Sequence, residues 1–166
     1  MSGRAVAIFL IICAALAGGA IYYFQVYAYY QRLGAGDVDI KISRGVFAGS
    51  IEARNLQAIN SDSSPIRFRA CFEATGSITV GASRYSDPVP LQAPIWFSCF
   101  KAGEIGADLR AGAARAFLGE ANVTYGVDRV LAIYSDGRGY AWQQLNPCGT
   151  ALYNGRPLPA DCPPPN

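Results

Sequence analysis

Few side chains in this sequence have the type and spacing to do chemistry. Arg67 and Arg69 stand one residue apart in "SSPIRFRACFE". Two guanidiniums side by side can grip a carboxylate or a phosphate through paired N–H donors. The plainer reading pairs them with Glu73 or with an acid on a neighbouring strand at a solvated sheet face. Trp96 and Trp142 join them as candidate contact residues, because Arg and Trp dominate interface hot spots. Glu73, Glu120 and Asp128 are the acids that would have to converge for general acid–base work. Lys41 and Lys101 are the only lysines, and a serine–lysine dyad would need one of them. None of these groups has catalytic spacing, and the chain reads as a protein that is not an enzyme.

The sequence contains no histidine. That removes Ser-His-Asp and Cys-His catalysis, the C-x-x-C-H haem attachment and histidine-held zinc or copper. Met1 is the single methionine, so a thioether copper site is also excluded. No cofactor or metal is expected. The formal net charge is +2 and the arginines are scattered, which gives no footprint for nucleic acid.

Five cysteines are present, and Cys13 lies in an apolar run. The remaining Cys71, Cys99, Cys148 and Cys162 form an even set in a domain that reads as exported, which is a disulfide framework. Three connectivities are open. Cys71–Cys99 with Cys148–Cys162 is favoured, because each pair closes a local loop. The two loops would contribute about 3–4 and about 3 kcal/mol respectively in the chain-entropy picture. Thiolate zinc would call for C-x-x-C pairs, which are absent.

Several elements must carry these groups. From Ala5 to Gln31 there is no charged residue. A bilayer core of about 30 Å needs about 20 apolar residues as a helix, so residues 5–31 can span it. Tyr22, Tyr23, Tyr27, Tyr29 and Tyr30 then form an aromatic belt at the membrane interface, a role preferred to a ligand-stacking platform. Ala15-Leu16-Ala17 fits a cleavage pattern, but the chain stays apolar beyond it, so an uncleaved signal-anchor is expected. Ile12 before Cys13 speaks against lipidation. Ala14, Gly18, Ala15 and Gly19 make small-x-x-x-small pairs, which allow helix pairing. Arg4 in a short tail favours a cytoplasmic N-terminus and a periplasmic domain on the inner membrane.

Beyond the anchor, Val38, Ile40 and Ile42 alternate as a strand, and "GVFAGSIEARNLQAI" continues as a second. Residues 60–65 read as a turn. Ile66, Phe68, Ala70 and Phe72 then share one sheet face, with Arg67, Arg69, Cys71 and Glu73 on the other. Pro88, Pro90 and Pro94 mark an irregular surface segment, and Trp96, Phe97 and Phe100 read as packing beside a disulfide. "KAGEIGADLRAG" predicts a short helix stopped at Gly112. "ARAFLGEA", "VDRVLAIY" and "YAWQQL", with Asp136-Gly137 between the last two, predict a three-stranded meander. Asn122-Val123-Thr124 matches a glycosylation sequon and is read as chance. The expected fold is α+β: one transmembrane helix, then a small, mainly antiparallel β domain with one short helix and two disulfides. Its segments are residues 1–32, the anchor; 33–145, the domain; and 146–166, a Pro/Gly-rich tail pinned by a disulfide.

"SSPIRFRACF", "WFSCF", "AFLGEANVTYGVDRV", "DGRGYAW" and a late "CG" resemble an uncharacterised family of bacterial single-span, periplasm-facing membrane proteins. Some members of it carry the label histidine kinase, which a chain without histidine or a nucleotide-binding glycine motif does not support. The resemblance implies location and a single domain, with no chemistry attached. The leading expectation is a membrane-anchored accessory or assembly protein that contacts a membrane-protein partner. The alternative is a small-molecule domain whose arginine pair senses an anion. Mass spectrometry under non-reducing conditions is expected to find Cys71, Cys99, Cys148 and Cys162 in two linked peptide pairs. Four free thiols would overturn the framework.

Overall fold

The computed structural model describes residues 2–76 and 78–165. Two compact units divide the chain, one ending at Tyr30 and the other starting at Gln31. The first unit is α1 (Gly3–Tyr23), which continues as a wider π-helical turn over Phe24–Ala28. Together they are long and apolar enough to cross a membrane, with a mean hydropathy of 2.4 and no buried residue. A helix that is apolar all round and buried against nothing lacks the single stripe that would mark a globular surface helix. Tyr22, Tyr23, Tyr27 and Tyr29 are exposed at its C-terminal end.

The second unit is built on one sheet. Its strands are β1 (Gln31–Leu33), β4 (Ala53–Asn60), β5 (Arg69–Ala74), β6 (Ala114–Thr124), β7 (Val127–Tyr134) and β8 (Arg138–Leu145). They run antiparallel in the order β1-β4-β5-β8-β7-β6. β2 (Lys41–Arg44) and β3 (Phe47–Ser50) form a separate hairpin. The predicted β6–β7–β8 meander is present, with Gly137 at φ 91 in the turn between β7 and β8. α2 (Ala102–Ala111) ends at Gly112 in the left-handed conformation, as its sequence predicts.

Both faces of the sheet are covered. On one, Phe68, Ala70, Phe72, Phe117, Leu131, Ile133 and Ala141 meet Ile40 and Ile42 of the hairpin arm. The other carries Trp142, Tyr134 and Tyr140 beneath Phe100 and α2. Phe100 stands edge-on to Tyr140 and Trp142 at 6.0 and 6.4 Å. Tyr134 donates to Asp108 of α2 at 2.7 Å. Val130, Leu131 and Ala132 are each fully buried. Two covers explain why β7 reads as a nearly continuous apolar run, where a half-exposed strand would alternate.

The second cover corrects the reading of Arg67 and Arg69 as a solvated pair. β5 begins at Arg69, and Arg67 lies in the turn region before it. Arg69 is only 3% exposed. Its guanidinium donates to four backbone carbonyls: Leu91 at 2.7 Å, Gln92 at 3.1 Å, Ile66 at 2.8 Å and Phe68 at 2.7 Å. The proline-rich segment over residues 85–100 forms no ladder there, so its carbonyls need another donor in a buried setting. A fork of N–H groups meets several at once. Alternation assigned Arg69 its face correctly but could not reveal what lies on that face.

Three smaller differences follow. The strand predicted from Val38 starts at Lys41, and "GVFAGSIEARNLQAI" divides into β3 and β4 around Ile51–Glu52. The Pro/Gly-rich tail opens on a further short helix, α3 (Pro147–Tyr153), capped by Asn146. Arg32, placed with the anchor by its sequence, pairs with Ile59 inside the sheet. The disulfides are Cys71–Cys99 and Cys148–Cys162, the favoured connectivity.

Truncating Arg69 leaves four carbonyls without this donor, and each one that stays out of water costs about 1–3 kcal/mol, whereas part-buried ones can turn to solvent. Arg69→Ala is expected to destabilise the domain by about 3 kcal/mol or more, lowering the melting midpoint by roughly 10 °C. Arg69→Lys is expected to recover little, because an ammonium cannot reach carbonyls on two sides in one plane. Near-ultraviolet circular dichroism of the full chain in detergent reads this. A midpoint unchanged in Arg69→Ala would show that other contacts hold the segment.

Candidate functional site

Where β7 begins and β8 ends, the sheet carries a patch of buried polar side chains. Asp128 stands opposite Gln144 in the β7–β8 register. Both are 8% exposed. Asp128 Oδ1 accepts from the Asn122 backbone N–H and from Asn146 Nδ2, each at 2.9 Å. Its Oδ2 accepts from the Tyr85 hydroxyl at 3.3 Å. Gln144 Oε1 accepts from Val89 N at 2.8 Å and from Trp142 Nε1 at 3.0 Å, while its Nε2 donates to Asp87 O at 3.2 Å. Asn146 Oδ1 caps α3 by accepting from Gly149 N at 3.0 Å. Asn122 Oδ1 accepts from Gly126 N at 3.0 Å and from Asn146 Nδ2 at 3.1 Å. The Asn122 side-chain oxygen thereby ties the β6–β7 turn to Asn146.

Asp128, Gln144 and Asn146 floor a groove of about 720 Å³. That falls within the roughly 300–1,000 Å³ of ligand sites. One wall is Tyr85, Ser86, Asp87 and Val89; the other is Thr150 of α3 with Arg156, Pro157 and Pro159. Gln144 fixes the first wall through both bonds to residues 87 and 89. The second is tied down by the Cys148–Cys162 disulfide, by Arg156 N donating to Ala151 O at 2.8 Å and by Tyr125 donating to Pro163 O at 2.7 Å. Gly126, at φ 77, and Gly149 touch backbone to backbone, and a Cβ on either would overlap the other. That approach seats α3 beside the turn before β7.

Burial first, then the Asp128 carboxylate, push the Tyr85 phenol far above its ordinary range. Tyr85 therefore stays a neutral donor at any physiological pH. Tyr134 is raised likewise by burial and by its bond to Asp108. The groove thus offers a carboxylate already held by three donors, a neutral phenol, the Thr150 hydroxyl and the exposed Arg156 cation. Groups of these types can accept hydrogen bonds from a ligand and donate them to it. Among the described residues, no group of three or more Cys, Asp or Glu is placed to hold a metal ion.

The residues singled out from sequence do not gather here, Asp128 excepted. Trp142 is fully buried beneath Phe100, so it is a core residue. Arg69 is the clamp described above, and Arg67 is partly buried beside it. Trp96 lies under the Arg32 guanidinium, 5.0 Å from its ring centre. Glu120 pairs with Lys41 at 3.2 Å and Lys101 with Glu104 at 3.0 Å. Glu73 faces Arg138, whereas Asp128 faces Gln144. Six residues along β8 place these two acids about 20 Å apart. Tyr85, Gln144, Asn146, Thr150 and Arg156 were not legible as a site. The signal that existed was a run of amides, Gln143, Gln144 and Asn146, closing an otherwise apolar strand.

Fold and groove together define a small disulfide-linked antiparallel β domain with a preformed groove, on a chain that opens with an apolar helix of the kind found in membrane anchors and export signals. The chain belongs to a family of unknown function (DUF6446), whose model matches residues 39–163. No curated protein and no solved structure matches it.

Folded-state stability is expected to fall as pH rises past the ordinary tyrosine value of 10.0. The sign follows from linkage: the folded state keeps phenol protons at Tyr85 and Tyr134 that the unfolded chain releases, so stability is complete below that pH and declines above it. Denaturant midpoints between roughly pH 9 and pH 11 measure it. Tyr85→Phe is expected to flatten the decline, and an unchanged slope would remove Tyr85 as a contributor.

Proposed function

We propose that this chain is a membrane-tethered, non-catalytic accessory or assembly protein that receives an extended segment of a partner protein in the groove beside Asp128. The observation that carries this reading is that part-buried polar contacts and a disulfide fix both walls of the groove in place. Asp128, Gln144 and the Cys148–Cys162 disulfide hold two chain segments that add little to the core and stand apart across a groove. Walls fixed beforehand reduce the ordering that binding must impose.

Groove electrostatics favour a peptide over a free anion. Asp87 and Asp128 oppose negative charge, while Arg156 supplies one cation at the other wall. Alternating backbone N–H and C=O groups suit such a lining. The anion-sensing alternative rested on Arg67 and Arg69, and Arg69 is bonded to carbonyls away from the groove. The disulfides support an oxidising compartment. With the apolar helix read as an uncleaved anchor, the domain belongs on the periplasmic side of the inner membrane and the N-terminus on the cytoplasmic side.

A photo-crosslinking residue at Ser86, in the groove wall, is expected to capture one stoichiometric partner in native membranes. The same residue at Ser135, in the exposed turn at the far end of β7–β8, is expected to capture none. Thr150→Trp, which fills the groove from an exposed helix position, is expected to abolish the Ser86 adduct without lowering the melting midpoint. Equal capture from both positions, or capture that survives Thr150→Trp, would reject the groove.

A further inference from the structure

Ile95 and Trp96 occupy the two central positions of a β-turn closed by Phe97 N donating to Pro94 O at 2.9 Å. Such positions ordinarily hold Gly, Asn, Asp or Ser. Here they hold a β-branched aliphatic and an indole, and Ile95 is 89% exposed. The indole is fixed from two sides. Its ring meets Phe97 edge-on at 6.2 Å, and Phe97 is buried. The Arg32 guanidinium lies 5.0 Å from its centre, with Arg32 held in β1 opposite Ile59.

Chain length says what can cover this turn. The apolar helix ends at Ala28. Arg32 follows four residues later, and four residues reach at most about 14 Å. A headgroup layer is about 5–7 Å deep on each side of the hydrocarbon core. Once the helix is in a bilayer, that tether keeps Arg32, and the indole against it, within reach of the lipid surface. An indole, an exposed aliphatic and an arginine that can reach to the phosphates are the side chains that sit well in that layer.

We propose that the Ile95–Trp96 turn, with Arg32 beside it, docks on the lipid surface of the bilayer that holds the apolar helix, as a second contact of the domain with the membrane. This rests on the anchor reading. The turn belongs to the same 85–100 segment that walls the groove, so lipid contact and groove share one piece of chain.

Trp96 and Trp142 are the only tryptophans. Trp142 is fully buried and supplies a constant background. Full-length protein is reconstituted in phosphatidylcholine–phosphatidylglycerol vesicles with bromine on the upper acyl carbons, and flotation is measured alongside tryptophan emission. The expected result is co-flotation with loss of roughly half of the Trp96 emission, as for a ring about 5–10 Å into the boundary. Quenching should vanish in Trp96→Phe and weaken in Ile95→Asp, a change at an exposed position that leaves the fold intact. Co-flotation without Trp96-specific quenching overturns the proposal and returns the turn to a protein partner. Failure to float overturns the anchor reading, and the proposal with it.

Discussion

The four carbonyl bonds of Arg69 are the constraint on which the rest of the domain depends. One sheet face is closed by a hairpin arm through ordinary apolar packing. The other is closed by residues 85–100, a proline-punctuated segment that cannot form a full ladder. The sheet reaches out to it at intervals instead. Gln144 binds it at residues 87 and 89, Arg69 at 91 and 92, and Cys71 through the disulfide at Cys99. These grips come from β5 and β8, adjacent strands of the sheet. Without them Phe97 and Phe100 would lose their seat over Trp142, and the groove would lose a wall.

The same device explains a feature of composition. Of 14 basic residues only Lys41 and Lys101 are lysines. Arg44 repeats the Arg69 arrangement on another irregular loop, donating to Val80 O at 3.2 Å and Ile78 O at 2.9 Å. A planar fork can satisfy carbonyls that diverge from one another, which a compact ammonium does poorly. In a domain where long segments lack strand partners, arginine does for loops what the ladder does for strands. Arg69 and Arg44 are therefore accounted for by how the fold is closed.

Local patterns made much of the fold legible. The meander, the stop of α2 at Gly112 and both disulfides follow from periodicity, a turn glycine and loop closure within short stretches. What stayed hidden depends on distant pairings. Alternation in "IRFRACFE" separates two faces but says nothing of a cover that arrives twenty residues later. Gly139 leaves the room that the Phe72 ring fills on the facing strand, and Gly149 meets Gly126, so the glycines of "DGRGYAW" and of the late "CG" record close approaches between segments far apart in sequence. The candidate site was legible only at Asp128, because its walls join residues 85–89 to residues 150–159, and no short window contains both.

That assembly from distant pieces also bears on what the groove does. A catalytic phenol needs a proton affinity near working pH, and a catalytic carboxylate needs a bond to give up during the reaction. Asp128 is held by three donors, and Tyr85 is driven far from any useful protonation change. Both are fixed in place, Tyr85 in a wall of the groove and Asp128 in its floor. The turn at Ile95 and Trp96 sits further along the same segment, between the Arg69 clamp and Cys99. A contact made there with lipid would bear on residues already tied to the sheet, so the domain would seat as a rigid body with its groove unaltered. On the reading proposed above, recognition by a preformed cleft on a seated domain uses all of these constraints together.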